Sequence, residues 1–161
     1  MSQAKKVFTR MCLNNWGGID HKVLEFHEYV NLFSGKSGSG KSTVMDAIQV
    51  ILYGSFSPSF LNKAADDAKN RRSVLSYLRG EQKDGSANRK DCDFCSVIAL
   101  EIEDTGTHII TCIGIAFEVR KSDSEIKKFV YFSHSGKMPE SEYLTEQGVC
   151  YSCLLYTSDA A

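Results

Sequence analysis

Apolar and polar residues alternate over residues 7–13, with Val7, Thr9, Met11 and Leu13 on one side and Phe8, Arg10 and Cys12 on the other. A period of two sends successive side chains to opposite faces, so the pattern predicts a β-strand. Asn14, Asn15, Gly17 and Gly18 follow as a turn signal, and residues 22–26 predict a second short strand. The apolar run at residues 29–33 predicts a third. Beyond it the period changes. Val44, Ala47, Ile48, Ile51 and Leu52 recur at helical spacing and predict a helix with one face on a sheet. Gly54 ends that helix, and Pro58 reinforces the break.

Residues 55–70 are polar and read as loop, residues 71–78 as a second helix stopped by Gly80, and residues 81–91 as an exposed loop. A hairpin series then begins. Strands are expected at residues 94–103, 108–120 and 128–133, separated by turns at 104–106 and 121–125. Residues 137–147 are polar, contain Pro139, and leave room for one short helix. The expected fold class is α/β: a mixed sheet carrying one helix, flanked by an antiparallel meander.

Composition narrows the class without deciding it. The chain has 161 residues, 42% of them hydrophobic, and a net charge of −1, so one core is feasible and the surface is not globally basic. No apolar run approaches the roughly 18 residues of a membrane span, and no membrane partner is expected. Cys92/Cys95 and Cys150/Cys153 are both C-x-x-C pairs. They stand much further apart than the about 15–20 residues of a compact zinc ribbon, so reduced cytosolic thiols are expected rather than a metal site.

The chemistry lies between the third strand and the first helix. Gly35 to Ser42 fits G-x-x-x-x-G-K-[ST], and the strand–loop–helix setting is the one that identifies a phosphate-binding loop. Glycines let backbone N–H groups converge on phosphate oxygens with no Cβ in the way. Lys41 supplies a point charge for the β- and γ-phosphates, Ser42 a hydroxyl for Mg²⁺, and the helix its positive end. The expected phosphate-binding set is Gly35, Lys36, Ser37, Gly38, Ser39, Gly40, Lys41, Ser42 and Thr43, with ATP and Mg²⁺ as cofactors.

The remaining motifs exclude the commonest owners of such a loop. A GTPase carries N-K-x-D, but residues 62–65 (NKAA) put Ala65 where the carboxylate belongs. No apolar strand ends in the acid that holds Mg²⁺ and orients water, residues 113–118 being the nearest match. No L-S-G-G-like signature is present. From Lys63 to Lys90, eight Lys/Arg face four acids, which fits sequence-independent DNA contact and fits a solvated loop equally well.

With those residues in view, the chain resembles the N-terminal head segment of SMC-like ATPases, most closely the MukB-like, JetC/MksB type of bacterial condensins and Wadjet plasmid-defence systems. The resemblance rests on Leu13-Asn14-Asn15-Trp16, on residues 33–49 (FSGKSGSGKSTVMDAIQ), on residues 62–65 and on residues 76–80 (SYLRG). Lys36 departs from the family pattern, which favours a small, acidic or amide residue there.

The resemblance implies an ABC-type P-loop NTPase head whose N-terminal lobe is residues 1–152. A C-terminal lobe, reached through a long coiled coil, then brings the signature motif, the Mg²⁺-binding Asp and the catalytic Glu, and no catalytic residue is expected in this chain. It further implies an ATP-dependent DNA-loop-extruding enzyme in the bacterial cytoplasm, associated with the nucleoid. The implied partners are DNA, a second head, and kleisin-like and winged-helix subunits. Asn15 and Trp16 are candidates for nucleotide contact by location, and Arg71, Arg72 and Arg79 for phosphate or DNA contact, against a solvated helix face. Two alternatives stay open: a DNA-repair ATPase of the SbcC or RecF kind, and a nucleotide-binding scaffold that does not hydrolyse. Residues 153–161 resemble a translated sequencing adapter, which would make that tail non-native.

Overall fold

The structure, a computed structural model, describes residues 3–54, 73–82 and 84–150. Five strands and two helices occur among them: β1 (Lys6–Trp16), β2 (Ile19–Glu25), α1 (Lys41–Tyr53), α2 (Val74–Leu78), β3 (Phe94–Asp104), β4 (Ile110–Val119) and β5 (Lys128–Ser135). They form one sheet in the order β2-β1-β3-β4-β5, and every pairing is antiparallel. The expected mixed sheet is therefore not seen among the described residues. No helix among them is long and apolar enough to cross a membrane.

Alternation along β1 is broken twice, and both breaks matter. The register against β3 slips between Phe8 and Arg10, a β-bulge that places two residues opposite one. Phe8 consequently packs with Met11 and Leu13, while Thr9 turns its hydroxyl to the Glu101 carboxylate at 2.6 Å. Asn15, at φ 52, makes the second break and sends Trp16 to the same side as Met11 and Leu13.

The front face of the sheet carries α1 and α2 over a core of Met11, Leu13, Trp16, Ile98, Leu100, Ile115 and Phe117. Helix α1 buries Val44, Ala47, Val50 and Ile51 there, whereas Leu52, expected inside, is half exposed. Gly54 ends α1 as expected, at φ 61 with its N–H on the Val50 carbonyl. Helix α2 begins at Ser73, whose hydroxyl accepts from the Ser76 N–H. Residues 137–150 form turns rather than a helix and cross the back face, packing Met138, Tyr143 and Cys150 on Cys12, Val97, Ala99, Cys112 and Ala116.

Residues 29–33 are not a strand. Among the described residues they pair with no other segment, and Tyr29, Val30 and Leu32 are 79%, 77% and 86% exposed. The sequence pattern is strand-like, but a strand needs a partner's N–H and C=O groups, and none of the five strands offers them here. Phe33, packed edge to face on Phe26 at 6.3 Å, ties the end of this segment to the front core.

Candidate phosphate-binding site

Gly40 caps the N-terminus of α1 at φ 88 with no side-chain hydrogen bond, and no acidic residue lies in the first turn. Gly40 thus offers the first N–H groups of α1 no side-chain acceptor, and the first turn itself carries no carboxylate to neutralise the positive helix end. Ahead of it, Ser39 N–H donates to the Lys36 carbonyl and closes the loop. Lys41 folds back over this turn. Its Nζ donates to the carbonyls of Gly35 at 2.7 Å and Lys36 at 2.8 Å, and to Ser39 Oγ at 3.1 Å. The ammonium is held inside the loop's curve instead of extending into solvent.

Two glycines of the loop meet opposite surroundings. A Cβ on Gly35, at φ 153, would stand 2.6 Å from Ser39 Oγ, so a side chain there would displace the hydroxyl that Lys41 contacts. A Cβ on Gly38 meets nothing within 4 Å and would project into open space. Ser37 and Ser42 are exposed, Thr43 half-buried, and Lys36 presents its side chain to solvent while its carbonyl holds Lys41. The arrangement offers backbone N–H groups, one buttressed cation and an exposed hydroxyl within one turn of helix, a donor set suited to an anion with a hard cation beside it.

Trp16 supports this helix and does not face a ligand. It is 0% exposed, its ring centroid 4.9 Å from that of Tyr77 and 6.3 Å from that of Phe117. The indole N–H donates to the Thr43 carbonyl at 2.9 Å and so fixes the first turn of α1 to the sheet. Asn15 is likewise structural, its amide donating to the Cys95 carbonyl and the Cys150 thiol. The Trp16 indole thus has no exposed face to offer a nucleotide, and the Asn15 amide nitrogen is committed inside the fold. Asp46, read only as part of a motif, is buried and accepts a hydrogen bond from the Tyr77 hydroxyl at 3.2 Å, joining α1 to α2.

The arginines change meaning too. Arg79 donates from one guanidinium nitrogen to the carbonyls of Arg120, Lys121 and Asp123, clamping the β4–β5 turn. Arg89, expected in an exposed loop, is 6% exposed and reaches the carbonyls of Leu78 and Gly17 and the Asp20 carboxylate. Burial lowers its pKa, and Asp20 opposes that shift. Arg71, Arg72, Lys63, Lys69 and residues 62–65 lie outside the described residues, as does Lys83, so of the basic stretch only Lys90 is left as a described, exposed cation.

Among the described residues two further features bear on a site. A hollow of about 420 Å³ at the β4–β5 turn is lined by Glu118, Arg120, Ser122, Asp123, Lys127 and Lys128, with Lys127 paired to Asp123 and Lys128 to Glu118. Among the described residues no three His, Cys, Asp or Glu side chains converge to hold a metal, and Cys153 lies outside them.

Residues 8–68 match the family described as the P-loop containing region of AAA domain. A stretch of 74 residues is 39% identical to the SbcC subunit of the nuclease SbcCD from Staphylococcus haemolyticus, covering 44% of this chain and 6% of that protein. The chain thus aligns with only a small part of its relative's length. The loop geometry and the family match point to the same feature, a P-loop at the start of α1.

Proposed function

We propose that this chain is the ATP-binding N-terminal lobe of an SMC-like ATPase that acts on DNA. One observation carries the reading: Lys41 closed over residues 35–40 at the N-terminus of α1, where Gly40 is the cap. Phosphate oxygens, being anionic, are stronger acceptors than the neutral carbonyls that hold Lys41, so the ammonium exchanges one set for the other when ATP binds. Residues 35–43 would hold the triphosphate, and the Ser42 hydroxyl would ligate Mg²⁺, which supplies charge neutralisation across the β- and γ-oxygens.

Hydrolysis belongs to the complete protein in this reading. The missing acids would come from a C-terminal lobe and the signature motif from a second head. The open backbone and exposed side chains of residues 29–33 support the idea that further strands join the sheet there. The protein would be cytoplasmic and nucleoid-associated, with DNA contacts that are independent of sequence. A kleisin-like and winged-helix set of partners follows if it is a MukB-like, JetC/MksB-type loop extruder.

A second reading has its own support. The relative it matches is part of a nuclease, so a repair ATPase of the SbcC kind is equally compatible with the sequence. The two separate by DNA form: the complete protein's ATPase should respond to closed circular DNA if it extrudes loops, and require free ends if it serves a nuclease. Either reading predicts DNA-stimulated turnover that Lys41→Ala abolishes. Function unchanged by Lys41→Ala would instead favour a non-hydrolysing scaffold.

A further inference from the structure

Residues 137–150 are held on the back of the sheet at an unusual point. Glu142 and Tyr143 are adjacent non-glycine residues at φ 53 and φ 62. Left-handed backbone costs an L-residue on the order of 1–2 kcal/mol, so two in a row persist only where their surroundings fix them. Each is fixed by a histidine, and the two histidines stand on opposite edges of the sheet, His21 on β2 and His134 on β5. Tyr143 is buried, its hydroxyl 2.9 Å from His134 Nε2. The Glu142 carboxylate lies 2.7 Å from His21 Nε2, and its carbonyl accepts from Asn14 Nδ2 at 2.8 Å and from the Cys12 thiol at 3.4 Å.

The hydrogen-bond inventory assigns the protons. Asn14 spends its amide nitrogen on the Glu142 carbonyl, so its oxygen faces His21 Nδ1, and that nitrogen must carry hydrogen. Nε2 faces a carboxylate and must carry hydrogen as well. His21 satisfies both only as imidazolium. His134 makes no such demand: its Nδ1 faces the Ser135 carbonyl and its Nε2 a Tyr143 hydroxyl that can either donate or accept.

We propose that His21 and Glu142 form a pH-sensitive latch that holds residues 137–150 across the back of the sheet while His21 is charged. The other charged group facing the pair is Arg10 on β1, 3.6 Å from the Glu142 carboxylate, which attracts that carboxylate and partly offsets the imidazolium. The Cys12 thiol beside it stays neutral. Glu101 on β3 anchors the start of the strap by accepting from the Met138 N–H at 2.6 Å, away from His21. Both contacts need hydrogen on their ring nitrogen, so they are made together only while His21 is charged. When one proton leaves, a ring lone pair opposes either the Asn14 oxygen or the Glu142 carboxylate, and the strained pair relaxes. The latch does not depend on nucleotide.

Hydrogen exchange read by mass spectrometry, corrected for intrinsic exchange at each pH, tests this on the whole chain. From pH 5.5 to 8, protection of amides in residues 137–150 should fall about tenfold, the scale of one charge-assisted hydrogen bond, while β3 amides hold steady. His21→Gln should remove the dependence. Protection flat with pH in the wild type, or an equal slope in His21→Gln, would overturn the proposal. Should His21→Gln unfold the sheet, seen as lost β3 protection, Glu142→Gln decides: a retained slope overturns the latch and a flat profile upholds it.

Discussion

Arg89 offers the sharpest perturbation, because the sequence places it in a basic exposed loop and the fold places it inside. Arg89→Met keeps most of the aliphatic stem and removes the donors. Two carbonyls, of Leu78 and Gly17, then lose their partner in buried surroundings, at about 1–3 kcal/mol each. The Asp20 pair adds little, since that carboxylate is 82% exposed. The guanidinium's contact with the Phe94 ring, 5.6 Å from its centroid, adds about 0.5–1 kcal/mol. Against these stands the relief of no longer burying a charge, the same penalty that lowers the pKa of Arg89. The net expectation is a loss of about 2–4 kcal/mol, or a Tm lower by about 4–16 °C for a chain of this size. Urea unfolding followed by Trp16, the sole tryptophan and fully buried, measures it directly. A midpoint unchanged within about 0.5 kcal/mol, with DNA affinity reduced, would refute the structural role and restore the exposed-patch reading.

Three further outcomes follow from the same contacts. Trp16→Phe should cost about 1.5–3 kcal/mol, for one hydrogen bond and part of a ring, and change ATP affinity less than about threefold; a stable fold with ATP affinity lost would make Trp16 a nucleotide contact after all. Gly80→Ala puts a Cβ at φ 67 and 2.8 Å from the Gly17 carbonyl, and should lower stability by about 2–3 kcal/mol in chemical denaturation. Burial pushes the Cys12 and Cys150 thiols up to about 12. Their contribution to stability is therefore present below the unfolded thiol value of about 8.5 and is lost as pH rises towards 12. At pH 8 iodoacetamide should modify exposed Cys92 at least about a thousandfold faster than either buried thiol, and equal rates would contradict the covered back face.

Local signals in the sequence carried the meander and the helix. Strands β3, β4 and β5, the turn at Asp104 and the stop at Gly54 all follow from period and turn chemistry, and the structure moves their ends by only a few residues. The phosphate loop was equally legible, since glycine spacing and Lys41 are one contiguous pattern. Long-range commitments were not. Nothing adjacent to Trp16 reveals that its indole N–H meets Thr43, and nothing near Arg89 reveals the carbonyls of Gly17 and Leu78. The bulge after Phe8 and the positive φ of Asn15 reverse the facing of side chains that strict alternation assigns, because register depends on the partner strand. Residues 29–33 show the converse. Their strand propensity is real, but the described fold gives it no partner.

The central claim is that residues 35–43 bind the phosphates of ATP through Lys41. Titration of the chain with Mg·ATP, read by calorimetry and by Trp16 emission, tests it most directly. The account predicts saturable one-site binding, weakened at least about tenfold by Lys41→Ala, the loss of one charge-assisted contact, with unfolding midpoints unchanged. Absence of binding by the folded wild type, or equal affinity in Lys41→Ala, would contradict it.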